Sequence, residues 1–382
     1  MLALNERQLA ELVGAGAALG VILLAMSRHR RRRREAKAIL AGVRSMISDD
    51  PDAAIEALSD AARLGTPQAL DTYLALGALF RRTGDLSRAI RLHRNMLVSR
   101  RLDPARQGEV ELELAQDYRR AGMLAEAAEL LAPRATSSRE AAEALREVRA
   151  DQGRWRDAAA LQAALPGPGS ERLRSHLLAA AARAELAAGR REAGQAAAEE
   201  AVEADEGCAD ARLARAEVLA AGGAGERALD DLVEALRRQP EAALLAVPAL
   251  ERLEDPTLAL GRLERLVSAR PEDAAPRLLC ARLLHRAGRR REALDEAGEA
   301  LRLDRTGEVT LALRELLRRS ESPPPGEPGE LAARHALTME TLRRKADPVR
   351  CGRCGAEASA REWRCRSCGR FDVFGPEPGV PV

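Results

Sequence analysis

Residues 73–93 read YLALGALFRRTGDLSRAIRLH, and residues 213–240 read LARAEVLAAGGAGERALDDLVEALRRQP. Both follow one grammar: an apolar stretch at helical spacing, a Gly-x turn, then a second such stretch with a small residue five positions after the glycine. The glycine recurs at Gly84, Gly122, Gly153, Gly189, Gly223 and Gly288, in steps of 38, 31, 36, 34 and 65, the last close to two periods. A two-helix unit of this size cannot bury its apolar face alone, so successive copies must stack. Small residues mark where paired helices approach: Gly77 with Ala89, Ala115 with Ala127, Ala216 with Ala228 and Ala235, and Ala281 with Ala293 and Ala300. Pro240 and Pro271 stop second helices, because proline cannot donate the next helical hydrogen bond.

A period near 34 residues is the tetratricopeptide signature, and it predicts an all-α fold class, a tetratricopeptide-repeat superhelical solenoid. Composition agrees: hydrophobic residues make up 46% of the 382 but aromatics only 2%, so the core is expected to be alanine and leucine. The repeat region spans residues 29–319, with about eight units running from about residue 36 to 318. The first (36–66), fourth and seventh (241–272) are degenerate; Pro166-Gly-Pro-Gly169 breaks the chain after the fourth, and the seventh lacks its turn glycine. Solenoids of this kind bind other proteins along a face lined by the first helix of each repeat. The repeat register puts Arg81, Arg82, Gln116, Arg119 and Arg120 on or beside that face, and Arg282, His285 and Arg286 likewise near the end. A basic strip there suits an acidic partner segment; equally, arginines in the last turn of a helix answer its dipole.

Leu12 to Ser27, LVGAGAALGVILLAMS, carries no charge and is followed by Arg28, His29 and Arg30 to Arg34. Charge after the apolar run rather than before it reads as an uncleaved anchor, residues 1–28, and the positive-inside rule places the remaining chain in the cytoplasm. Gly16-x3-Gly20 provides a small-residue step at which two such helices can approach, so a homodimer is allowed for. The net charge of +2 gives no global reason to expect nucleic acid.

Near the C-terminus, Cys351-x2-Cys354 and Cys365-x2-Cys368 stand ten residues apart. Each C-x2-C aims two sulfurs at one point, and the spacer returns the chain to complete a tetrahedron, so one metal ion in a four-cysteine site is expected. Gly352, Gly355 and Gly369 supply backbone freedom for the turns. Four thiolates close the coordination shell, which makes the site structural; zinc and iron both suit it. Residues 347–376 form this knuckle, joined to the solenoid by a Pro-rich linker (320–330) and a connecting helix (331–346), with a tail at 377–382. Trp363, Phe371, Val373 and Phe374 are placed to pack around the site and dock it onto the connecting helix or the solenoid. Arg350, Arg353, Arg361, Arg364, Arg366 and Arg370 are expected to give it a basic skin.

No catalytic constellation is legible. His29, His93, His176, His285 and His335 are dispersed without a matching serine, cysteine or carboxylate pattern, and there is no phosphate-cradling loop or HExxH motif. His93 reads as a packing residue of a second helix, and Cys208 and Cys280 as small core hydrophobes. A non-enzyme is the expectation.

The order of anchor, repeat array and terminal paired C-x2-C knuckle resembles the lipopolysaccharide assembly protein B family, also called YciM. The likeness is most specific in residues 74–97 (LALGALFRRTGDLSRAIRLHRNML), residues 117–131 (DYRRAGMLAEAAELL) and the knuckle CGRCGAEASAREWRCRSCGRF. The resemblance implies a rubredoxin-type site at Cys351, Cys354, Cys365 and Cys368, with iron as its metal. It also implies a single-pass inner-membrane adaptor that restrains lipopolysaccharide synthesis by helping the FtsH protease degrade the deacetylase LpxC. Ala356 in place of an aromatic, Arg366 in place of a proline, and Pro323 to Pro328 depart from the family pattern and bear on how the knuckle docks. The alternatives are a redox or metal-sensing module and a scaffold of another envelope complex. Nucleic acid is not an expected partner.

Overall fold

The computed structural model describes residues 69–99, 102–253, 255–304, 349–358 and 361–374, with isolated positions at 26, 27, 30 and 309. The body of the expected anchor, the degenerate unit 36–66, the linker 320–330, the connecting helix 331–346 and the tail 377–382 lie outside the described residues. Among the described residues, no helix is long and apolar enough to cross a membrane. Contacts divide the chain into two units, Met1–Val148 and Arg149–Val382.

The first unit is built from α1 (Ala69–Arg82), α2 (Leu86–Ser99), α3 (Pro104–Arg120), α4 (Leu124–Leu131) and most of α5 (Arg139–Asp151). Asp103 opens α3 by accepting a hydrogen bond from the Arg106 amide, with Pro104 in the first turn where its missing N–H costs nothing. Helix α1 packs on α2 and α3, and α3 packs on α4, the pattern of stacked hairpins.

The second unit continues through α6 (Trp155–Ala163), α7 (Ser170–Ala187), α8 (Arg191–Ala204), α9 (Ala209–Ala221) and α10 (Gly225–Arg238). A 3-10 turn (Pro240–Ala246) and α11 (Val247–Glu251) stand where a first helix belongs, followed by α12 (Pro256–Ala269), α13 (Ala274–Arg286) and α14 (Arg290–Leu303). Here the first helix is replaced by two short pieces, and Pro248, which has no N–H to donate, stands at the junction between them. The largest fully buried side chains are all leucines, with alanines between them, so the core is the alanine–leucine one expected.

All six repeat glycines adopt left-handed backbone, φ 73 to 84°. After each, the next residue donates its amide back to the carbonyl five positions before it, as in Asp85 to Phe80 (2.8 Å), Met123 to Tyr118 (2.8 Å) and Ala224 to Leu219 (2.9 Å). This satisfies carbonyls that the helix end would orphan, and a Cβ in that conformation costs about 1 kcal/mol. The small residues five positions later, Ala89, Ala127, Ala158 and Ala228, are buried. At Gly194 a Cβ would stand 3.2 Å from the Ala182 carbonyl oxygen. Gly77 differs from expectation in its partner: its open side is filled by the His93 ring, 2.3 Å from where a Cβ would sit, rather than by Ala89.

Candidate metal centre and its seat

The two C-x2-C turns are near copies. Gly355 N–H donates to the Cys351 carbonyl and Gly369 N–H to that of Cys365, both at 2.8 Å. Cys351 N–H reaches the Ala356 carbonyl (2.9 Å) as Cys365 N–H reaches that of Arg370 (2.8 Å). Gly355 and Gly369 share φ 71°, the left-handed value the turns require, whereas Gly352 is not in that region. A two-residue ladder, β1 (Val349–Arg350) against β2 (Glu357–Ala358), closes the first turn, and an Arg364–Phe371 bridge closes the second.

This brings the four sulfurs within 4.8 Å of one another, with Cys351–Cys368 and Cys354–Cys365 both at 3.8 Å. A tetrahedral ion with thiolate bonds of about 2.3 Å requires sulfurs about 3.8 Å apart. The donor set therefore fits one ion bound by four thiolates, and its geometry accepts zinc or iron. The Ala356 amide, hydrogen-bonded to Cys354, draws that thiol's pKa down to about 7, while burial pushes Cys368 up to about 12. Cys351, Cys365 and Phe374 make the small core, with Val349, Ala356, Ala358 and Val373 around it.

The knuckle is seated on the solenoid. Trp363 packs against the leucine-rich cluster that spans α9 to α14, and Phe371 against the alanine-rich cluster of α5 to α9. Phe371 stacks on the His176 ring of α7 at 5.1 Å and 21°, and Trp363 meets the same ring at 5.8 Å. Asp372, at φ 53° the one non-glycine with positive φ among the described residues, is bound by Arg172 Nε (2.9 Å) and His176 Nε2 (2.8 Å). His176 Nδ1 meets Asp210 at 2.7 Å, and Arg183 ties Asp210 (2.5 Å) to Glu217 (2.7 Å). Burial opposes charge on His176, but its hydrogen bonds to Asp210 and Asp372 outweigh burial and push the pKa up to about 12. Burial likewise opposes ionisation of Asp372, yet the His176 hydrogen bond holds its carboxyl below the usual range.

On the other side, Arg364 donates to Asp151 (2.5 Å) and to the Gly369 carbonyl (3.0 Å), and its guanidinium lies over the Trp155 and Phe371 rings, 5.5 and 5.9 Å from their centroids. The expected basic skin is therefore partly a fastening. Arg364 is a clamp, Arg361 is buried, and Arg350 and Arg366 pair with Glu357 and Glu362; Arg353 and Arg370 are exposed.

The residues assigned to a partner strip divide in two. Arg81 binds Glu113 and Asp117, each at 2.7 Å, and Arg119 binds Glu147, so both tie one first helix to the next. Arg82, Gln116 and Arg120 are exposed. Arg282 pairs with Glu251 (3.1 Å), Arg286 donates to the Leu250 and Leu253 carbonyls, and His285 is exposed. His93 is buried as expected, with Nδ1 2.6 Å from Asp117. Cys208 and Cys280 are buried core residues, and burial raises the Cys280 thiol to about 12.

The seat residues His176, Asp372, Arg172 and Asp151 were not legible in the sequence. His176 and Asp372 stand 196 positions apart, and neither belongs to a spaced motif. The aromatic residues Trp363 and Phe371 carry the signal that the knuckle docks, and both pack on the solenoid.

No family model matches the chain, and no curated protein matches it. Solved structures match the chain at low identity. One is the Cut9–Hcn1 hetero-tetramer of APC/C (14% identity, 82% of this chain and 72% of that chain, TM-score 0.32). A second is a tetratricopeptide repeat protein from Parabacteroides merdae (15%, 75% and 98%, TM-score 0.31). A third is the TPR2AB domain of yeast Sti1 in complex with pHSP90 (17%, 70% and 98%, TM-score 0.28).

Proposed function

We propose that the protein is a non-enzymatic, membrane-tethered adaptor that restrains lipopolysaccharide synthesis by presenting an LpxC-type deacetylase to an FtsH-type protease at the cytoplasmic face of the inner membrane. The observation that carries an adaptor reading is the seat itself. A four-cysteine knuckle with a closed donor set is fastened to the first helices of successive repeats through Asp151, Arg172 and His176, so the ion's chemistry serves shape rather than turnover. Stacked helical repeats supply extended protein-binding surface. The finer assignment is supported by the likeness of residues 74–97, 117–131 and the knuckle to the lipopolysaccharide assembly protein B family. An anchor at residues 1–28 confines a held client beside the protease and so raises its effective concentration.

Crosslinking from intact membranes, followed by identification of the captured proteins, tests the assignment. Capture of the protease and the deacetylase is the expected result; capture of a different envelope complex without either replaces it with a scaffold role. Deletion of residues 1–27 is expected to abolish regulation, and a soluble fragment that restores normal client levels would refute tethering.

One observation favours a metal-sensing role as a second reading: Cys354 is exposed, so an ion held there has one edge open to redox partners. Metal analysis with absorbance spectroscopy separates the two, since a reversibly reducible iron centre favours sensing and zinc favours structure.

A further inference from the structure

We propose that the outward face of α2 is a second, peripheral membrane contact, a basic surface that lies on anionic lipid. Helix α2 (LSRAIRLHRNMLVS) contains three arginines and no Asp or Glu. At 100° per residue, Ser87, Arg88, Arg91, Arg94, Asn95 and Val98 fall within an arc of about 120°, and all six are exposed. The opposite side buries Ala89, His93 and Met96.

Helix α13 is also free of carboxylates, and the comparison is informative. Its Arg277 and Arg282 are paired with Glu296 and Glu251, and its Arg286 caps carbonyls. Of the α2 arginines, Arg88 is engaged, with Asp85 at 3.1 Å and the Phe80 ring at 5.8 Å. Among the described residues, no ion pair reaches Arg91 or Arg94.

Val98 adds an independent mark. It is 88% exposed, the largest value for any large apolar side chain among the described residues, and it continues the basic face toward Arg100 and Arg101 in the sequence. An apolar side chain flanked by cations suits the boundary between headgroups and acyl chains, where each arginine gains from the anionic surface. A nucleic acid strand would use aromatic stacking platforms, and this face carries no Trp, Tyr or Phe. The occupant is therefore the anionic leaflet of the membrane. This rests on the reading of Leu12–Ser27 as an anchor, which would keep α2 near that leaflet.

The test uses the full chain in nanodiscs of phosphatidylcholine alone or mixed with phosphatidylglycerol, read by co-elution and by amide exchange over residues 86–98. Exchange is expected to slow in the anionic discs, with added salt or the R91E/R94E variant reversing it. Loss of the two arginine contacts alone corresponds to about thirtyfold in the docked-to-free ratio, so the charge-reversed variant should lower it by at least that much. Circular dichroism checks that the variant, altered only at exposed sites, keeps its helices. Identical exchange in both discs, or slowing that survives R91E/R94E, overturns the proposal. So does slowing by polyuridine or polyglutamate without any by phosphatidylglycerol. Co-elution with both discs and no exchange difference leaves the anchor and removes the proposal. Co-elution only with anionic discs, lost in R91E/R94E, leaves the proposal and removes the anchor.

Discussion

Asp372 accepts a hydrogen bond from His176 Nε2 at 2.8 Å, across 196 residues of sequence, and so fastens the cysteine knuckle to α7. The other ring nitrogen is 2.7 Å from Asp210, so the imidazole bridges a carboxylate of the solenoid and one of the knuckle. Only an imidazolium donates from both nitrogens, and two flanking carboxylates are what hold it charged inside the core. Asp372 adopts a left-handed backbone to reach this position, a conformation kept because several contacts demand it.

Asp372→Asn is expected to weaken the seat by about 2 kcal/mol, since it replaces a charge-assisted acceptor with a neutral one. His176→Ala removes the ring and the bridge together and is expected to cost about 3 kcal/mol or more. Amide exchange over residues 361–374 reads both. Unchanged exchange in His176→Ala would show that the seat does not hold the knuckle.

The pH dependence follows from the directions of these shifts. The His176 pKa is raised to about 12, so its contribution is complete below the ordinary imidazole value of about 6.5 and is lost as pH rises through about 12. Asp372 is lowered, so its contribution is present above the ordinary carboxylate value of about 4 and is lost as pH falls through its folded value. NMR of the His176 ring should show no titration between about pH 5 and 9 in the parent, and a lower pKa in Asp372→Asn. A ring that titrates near the ordinary value in the parent would contradict the bridge.

Chelation or Cys351→Ser should unfold the knuckle, because so short a segment depends on its ion for most of its folding free energy. Trp363 should leave the α9 to α14 cluster, giving a red shift in tryptophan emission with little change in helical circular dichroism. One ion per chain is expected before chelation. Emission that stays constant after metal removal would mean that the knuckle folds without it.

Gly77→Ala is expected to destabilise the first unit, although alanine favours a helix by about 1 kcal/mol. The new Cβ would stand 2.3 Å from the His93 ring, which is buried and held by Asp117, so the ring must shift at a cost of about 1–3 kcal/mol in addition to that gain. Thermal denaturation of Gly77→Ala alone and with His93→Ala measures this, and the double variant should recover part of the loss. Equal melting of the single variant and the parent would show that the ring yields freely.

Much of the repeat array is local, and local features are legible. Gly84, Gly122, Gly153, Gly189, Gly223 and Gly288 mark the turns inside six of the repeats, because only glycine enters left-handed backbone without steric cost. The seventh unit stands out in the sequence by the turn glycine it lacks. Sequence spacing identifies Gly77 as a small residue but not which side chain fills the space it leaves, which is the His93 ring.

The candidate metal centre is legible in the sequence as well, since Cys351, Cys354, Cys365 and Cys368 sit in two self-contained turns whose geometry depends on neighbours a few residues away. Tertiary structure alone decided where the knuckle rests and what became of the charges. Asp151, Trp155, His176 and Asp372 meet because helices separated in sequence are stacked side by side, and burial then selects which carboxylate answers which cation. In the same way Arg81 and Arg119 became ties between repeats, while Arg91 and Arg94, equally basic in sequence, face outward. Local sequence sets what each residue can do, and only the packed chain sets what stands within reach of it.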